Sequence, residues 1–311
     1  MKRRLHLLIV LAVLGVCATG TWYYFSQSRP VGGGCAGPAV PAEAFVQPWT
    51  DRTVLLVGLG DSVTAGFGAR KGYGYFDRLV ANPPDEFPDL REINLRAVLP
   101  GLRATNLAVS GSTSLDLVKQ QLTRLPVADS NVLGLVVITT GGNDLIHDYG
   151  RTPAREVAMF GADWQQASPW VQNFATRLEV ILDQVNARFP GGCQIFLANI
   201  YDPTDGVGDI QRAGLPAWPD GLKILAAYNG ILERGAERRA NVHLIDLHAA
   251  FLGHGLHCTQ FWRKHYDARD PNYWYHTNVE DPNERGYDAI RRLFLLEMTK
   301  IRSRLVARTE G

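Results

Sequence analysis

The chain has 311 residues, 46% of them hydrophobic and 20% charged, the composition of a globular protein that buries a core. Its 32 basic and 31 acidic residues leave a net charge of +1, which gives no reason to expect nucleic-acid binding. Four cysteines are too few for a disulfide scaffold, and no internal repeat is visible.

The N-terminus differs from the rest. Met1-Lys2-Arg3-Arg4 is basic, and a charge-free apolar run follows from Leu7 to Phe25. As a helix that run is about 28 Å long, enough to cross a bilayer core. Trp22, Tyr23 and Tyr24 fall where an aromatic belt belongs, and the basic flank should stay in the cytoplasm. Residues 1–25 are therefore expected to be a membrane anchor. A signal peptide cut after Ala18-Thr19-Gly20 is the alternative, and Val16 argues against Cys17 as a lipidation site. All three readings export the remainder. Residues 26–50, with Gly32-Gly33-Gly34, Pro38, Pro41 and Pro48, lack apolar periodicity and read as a linker. The folded domain is then 51–311.

Short apolar runs at 53–59, 104–109, 133–139, 194–200 and 241–246 read as buried strands, the second being the weakest. Between and after them, 114–125, 170–189, 222–236 and 288–305 carry apolar residues at helical spacing. Strands alternating with helices imply an α/β fold with a parallel sheet, whose ligands bind at the carboxyl ends of the strands. Cys193 and Cys258 could pair in an oxidising compartment or remain free thiols.

Three strand ends carry loops of one chemical kind. Gly58-Leu59-Gly60-Asp61-Ser62 follows the first strand, Ser110-Gly111-Ser112 the second and Gly141-Gly142-Asn143-Asp144 the third. Glycines expose backbone N–H groups and Asn supplies an amide donor, the parts of an oxyanion hole. A dinucleotide fingerprint would need glycine where Val63 stands, so no such cofactor is expected.

With these loops the sequence resembles the SGNH/GDSL hydrolase family. Gly60-Asp61-Ser62 matches its first block, Gly111 the glycine of the second and Asn143 the asparagine of the third. The resemblance spans about Thr53 to Leu305. It implies a flavodoxin-like three-layer α/β/α sandwich with a five-stranded parallel sheet. It implies a serine esterase or lipase whose nucleophile is Ser62, with the Ser62 and Gly111 N–H groups and the Asn143 amide holding the oxyanion. It implies ester substrates, whether lipids, acetylated sugars or small esters.

The last block departs from the pattern. The family reads Asp-x-x-His-Pro-Asn-x-x-Gly, whereas this chain has Asn278 in the Asp position and Asp281 in the His position, before Pro282-Asn283 and Gly286. A serine nucleophile still needs a base, and histidine has the suitable pKa. His254, between Gly253 and Gly255, is the expected base, with His276 as the alternative. Asp281 is the expected orienting acid, with Asp246 and Asp270 as alternatives. His147 could instead line the pocket, while His243 and His248 read as structural. His254, His257 and Cys258 lie close in sequence, but no second cluster completes a zinc pattern, so no metal is expected. The connections 153–170 and 249–281 could wall the pocket, with Trp164, Trp170, Trp262 and Trp274 stacking on substrate or packing. The rival to an enzyme is an anchored binding domain that keeps the pocket and lacks a working base.

Overall fold

The five apolar runs form one sheet. In the computed structural model, which describes residues 2–305, the strands are β1 (Val54–Gly60), β2 (Leu102–Asn106), β3 (Leu133–Thr139), β4 (Cys193–Ala198) and β5 (Val242–Ile245). Met1 and residues 306–311 of the expected 51–311 domain lie outside the described residues. The strand order is β2-β1-β3-β4-β5 and every pairing is parallel. This is the flavodoxin-like order, with its switch point between β1 and β3. β2 begins two residues before its expected start. It is an edge strand and much of it is exposed, so its sequence carries little alternation.

Alternate residues of the central strands feed two cores. Leu56, Leu135, Val137 and Phe196 pack with the last helix, Glu284–Lys300, and the short helix Tyr75–Val80. Val57, Leu59, Val136, Ile138 and Leu197 pack under the helices Trp164–Ala187 and Gly221–Glu237. Burial on both faces is why these runs are continuously apolar.

Local chemistry sets the helix starts. Trp164–Ala187 begins six residues before the expected start, because Asp163 and Gln166 form a capping box. The stretch expected as a helix over 114–125 contains a π-helical turn at Leu117–Gln121, which carries the fully buried Gln121. Asn283 caps the last helix by accepting from the Arg285 and Gly286 N–H groups. That helix buries Asp288, Arg291 and Arg292. Their charges are matched by Glu86, Arg78 and Asp89 in one ionic network.

Residues 26–50 do not stand off as a linker. Ala36, Phe45 and Trp49 are buried in the first core. The Trp49 N–H donates to Val98 O at 2.8 Å, its indole N–H to Ala44 O at 2.7 Å, and Ala36 N–H to Asp288 at 3.0 Å. The docking residues are few and irregularly spaced, so no periodicity marks them.

Lys2–Gln27 is a single helix, and His6–Gln27 within it is long and apolar enough to cross a membrane. Cys193 and Cys258 are both buried as free thiols, so the possible pairing does not form. Trp49→Ala should destabilise the protein by about 3–5 kcal/mol in urea unfolding, the cost of emptying a large aromatic site. A detached linker would give a change near zero.

Candidate active site

At the end of β1 the chain leaves the sheet through Gly60, which has φ +118. A Cβ there would stand 1.7 Å from Thr139 O of β3, so no other residue fits. Gln121 clamps the Gly60 peptide from both sides, accepting from its N–H and donating to its carbonyl, each at 2.7 Å. Asp61 then caps the short helix Ser62–Ala65, accepting from Val63 N–H at 3.1 Å and from the Thr139 hydroxyl at 2.7 Å. Ser62 is left at the first helical position, half-buried and facing a cavity.

The second and third loops are tied to this turn and to each other. Gln121 also donates to the Ser112 hydroxyl at 3.2 Å, and the Asn143 amide donates to Ser112 O at 3.0 Å. Fully buried Asp144 accepts from the Ser114 N–H at 2.7 Å, with Tyr228 at 3.3 Å and Arg177 at 3.4 Å. Of the three expected oxyanion groups, Ser62 and Asn143 line the same cavity. Gly111 lies in the exposed loop before Ser112 with φ +81 and is not part of the lining.

Asp281 meets this arrangement from the last loop. Its carboxyl faces the Ser62 side chain and accepts from the Asn278 amide at 2.6 Å. Burial raises its pKa above the ordinary carboxylate range; Ser62, Asn278 and the charge of His276 pull it back down. Its Oδ1 is buried without a well-formed hydrogen bond among the described residues. Two further acids share the site. Burial, with Asp281 and Asp61 nearby, pushes Glu280 up to about 7. Burial pushes Asp61 up to about 7 against the Thr139 and Val63 hydrogen bonds. Val279, between Asn278 and Glu280 on the cavity wall, has φ +69, a strained conformation for a β-branched residue.

Neither expected histidine lines the cavity. The His254 ring stacks on Trp274 at 3.5 Å and bonds to Asn272 O through Nδ1 at 3.2 Å. His276 contributes its backbone N–H to Asp281 O at 2.7 Å, while its ring packs beside Phe67. His147 lies at 3.7 Å from Asp148 and also stands off the lining. His243 bonds to Gln194 and His248 to Ile200 O. Asp246 caps a helix, and Asp270 holds Arg285 and the Trp274 indole, so both alternative acids have other work. Among the described residues, no group of His, Cys, Asp and Glu is placed to hold a metal.

The cavity is about 140 Å³ and much of its wall is apolar. Leu145, Ile146, Phe160, Leu215, Trp218 and Leu222 supply that part, with the Phe160 and Trp218 rings in contact at 5.0 Å. Trp164, Trp170, Trp262 and Trp274 take no part. Sequence reasoning missed Gln121, Thr139, Glu280 and the wall contributed by residues 200–218. Glu280 had one available signal, its adjacency to Asp281. The wall had none, because residues 200–218 follow no helical or strand period.

The profile of the GDSL-like lipase/acylhydrolase family matches residues 59–289. Among solved structures, the chain is similar to an extracellular lipase from Streptomyces rimosus. The identity is 21%, covering 79% of this chain and 99% of that one, with a TM-score of 0.50. A phospholipase A1 from Streptomyces albidoflavus NA297 is 22% identical, with 79% and 98% covered and a TM-score of 0.49. An acetylxylan esterase from Geobacillus stearothermophilus is 18% identical, with 78% and 93% covered and a TM-score of 0.47. At these identities the likeness is one of fold. No curated protein sequence matches the chain significantly.

The burial of Asp61 has a measurable consequence. Its folded pKa of about 7 exceeds the ordinary 3.8, so its contribution to stability is present below pH 3.8 and lost as pH rises through 7. Asp61→Asn keeps the cap acceptor and should raise the melting temperature at pH 8, with the gain shrinking toward pH 4. Melting curves at both pH values decide it; an equal shift at each would show that ionisation of Asp61 carries no cost.

Proposed function

The chain belongs to the GDSL-like lipase/acylhydrolase family and is a carboxylic ester hydrolase, and from that premise we propose an acyl-transfer reaction on esters with an apolar acyl chain, through Ser62 and outside the cytoplasm. One observation carries the reading: the Ser62 side chain meets the Asp281 carboxyl and lines a largely apolar cavity. Asp281 is the proton acceptor in this reading. It occupies the sequence position where the family keeps its histidine, and its raised pKa makes it a better base than an exposed aspartate.

Asp281 takes the Ser62 Oγ proton as Oγ attacks the ester carbonyl carbon. The oxyanion is received by the Ser62 N–H and the Asn143 amide, whose second N–H remains available beside its bond to Ser112. The alcohol leaves with the proton from Asp281. Water then gives a proton to Asp281 and attacks the acyl-enzyme, and the acid departs as Ser62 recovers its hydrogen. Asn278 holds the carboxyl in place, and the charge of His276 stabilises its ionised form. His254 braces the last loop through Trp274. The export of the domain is supported by the basic N-terminal flank and the apolar helix behind it.

Asp281→Asn should lower kcat by about 10²- to 10⁴-fold with KM little changed, the usual contribution of a general base. In the wild type, kcat/KM should rise with pH as Asp281 loses its proton. That limb should lie above the range of an exposed carboxylate, because burial raises the pKa. Hydrolysis of p-nitrophenyl esters by wild type, Ser62→Ala, Asp281→Asn, His254→Ala and His276→Ala distinguishes the cases. If a histidine variant loses turnover while Asp281→Asn keeps it, the base is that histidine. If wild type and Ser62→Ala are equally inactive at every chain length, the anchored binding domain is the better reading.

The acyl slot is tested separately. Leu222→Trp, on its wall, should cost at least about tenfold in kcat/KM on a decanoyl ester, the loss of about two buried methylenes. The acetyl ester should be nearly unaffected. Equal losses on both esters would show that the acyl chain lies elsewhere.

A further inference from the structure

The junction between the N-terminal helix and the catalytic domain adjoins a turn that supplies part of the cavity wall. The Thr259 hydroxyl lies 3.3 Å from Tyr24 O and 3.5 Å from the Phe25 and Ser28 carbonyls. The Arg212 guanidinium donates to Ser26 O, and Arg29 returns a bond to Arg212 O at 2.7 Å. Arg212 sits in the turn Ile210–Ala213, whose Ile210 lines the cavity, as does Gly208. Between them Asp209 bonds to His257 at 2.8 Å, which ties the turn to the segment carrying Thr259. Within five residues, Gly208 and Ile210 thus wall the acyl slot and Arg212 grips the helix end.

Beside this junction lie Phe261 and Trp262, 61% and 55% exposed. The Phe25 ring packs edge-on against both, at 5.4 and 5.5 Å, and they contact each other at 5.0 Å. Two large aromatics left in water beside the end of an apolar helix are poorly placed unless an amphipathic phase covers them. The helix end, with Tyr23 and Tyr24, is itself the aromatic margin of the span. Exposed Lys264 follows two residues on, a charge suited to anionic head groups.

We propose that Phe261 and Trp262 form a second membrane contact, which seats the catalytic domain on the bilayer with its acyl slot beside the lipid surface, so that the ester is drawn from a membrane lipid. This rests on the N-terminal helix spanning the bilayer and on the apolar slot receiving the acyl chain. The occupant of the patch is the interfacial layer of the bilayer, because the patch is continuous with the aromatic margin of the span.

The test uses the full chain in vesicles of phosphatidylcholine and phosphatidylglycerol, with and without brominated acyl chains. Trp22→Phe serves as the background, since Trp22 lies in the helix and would itself be quenched. Brominated lipid should quench the background protein and quench Trp22→Phe/Trp262→Phe much less. Phe261→Ser/Trp262→Ser should hydrolyse a vesicle-embedded long-chain ester about tenfold more slowly, from the interfacial burial of two aromatic rings. Its rate on soluble p-nitrophenyl acetate should be unchanged. Equal quenching of Trp22→Phe and Trp22→Phe/Trp262→Phe, or no loss of rate on the embedded ester, would overturn the proposal while leaving the span intact. Failure of the wild-type chain to float with vesicles would remove the span itself. Concentration-dependent crosslinking through position 262 would assign the patch to a second copy of the chain and overturn the proposal.

Discussion

At Gly60, β1 leaves the sheet alongside Thr139 O of β3, in a space where even one methyl group would collide. The geometry of the site follows from that crossing. The Thr139 hydroxyl reaches Asp61, and Asp61 caps the turn that presents Ser62. Gln121 closes the crossing from the other face and extends it to Ser112, which Asn143 then grips. The turn carrying Ser62 and the loops carrying Ser112 and Asn143 are therefore one hydrogen-bonded body fixed to the two central strands. A site on rigid elements holds its geometry more closely than one built on free loops.

Against this body stands an acidic rim. Asp61, Glu280 and Asp281 are mutually repelling groups in a partly desolvated space, and all three have raised pKa values. A family histidine would relieve that repulsion when protonated. This chain instead has Asn278, which donates to both Glu280 and Asp281 and can hold them whether or not they carry a charge. The strained Val279, between Asn278 and Glu280, is one more cost the rim bears, consistent with residues held for chemistry rather than for stability.

The fold was legible because burial on both faces leaves a continuous apolar run, as in β1 and β3, and a parallel sheet follows from the alternation with helices. That Ser62 and Asn143 share one cavity was legible because short glycine-bearing loops at the ends of parallel strands gather at one edge of the sheet. His254 was not: flanking glycines suggested an open approach to substrate, but a Cβ at Gly253 would lie 1.9 Å from His265 O. Those glycines serve close packing of the last loop, and the ring between them stacks on Trp274. The docking of residues 36–49 was hidden for a related reason. A segment held by isolated anchors such as Trp49 and Ala36 has no period to detect. The cavity wall came from residues 200–218, where irregular backbone conceals which side chains point inward.

The two buried cysteines bear on where such a protein can live. Burial pushes the Cys193 thiol up to about 11 and the Cys258 thiol up to about 12. At neutral pH neither offers a thiolate to an oxidant or to another thiol. The described residues hold no disulfide, so the fold needs no oxidase to mature and loses no staple to a reductant. Its cohesion rests on close packing and on the matched charges around Asp288.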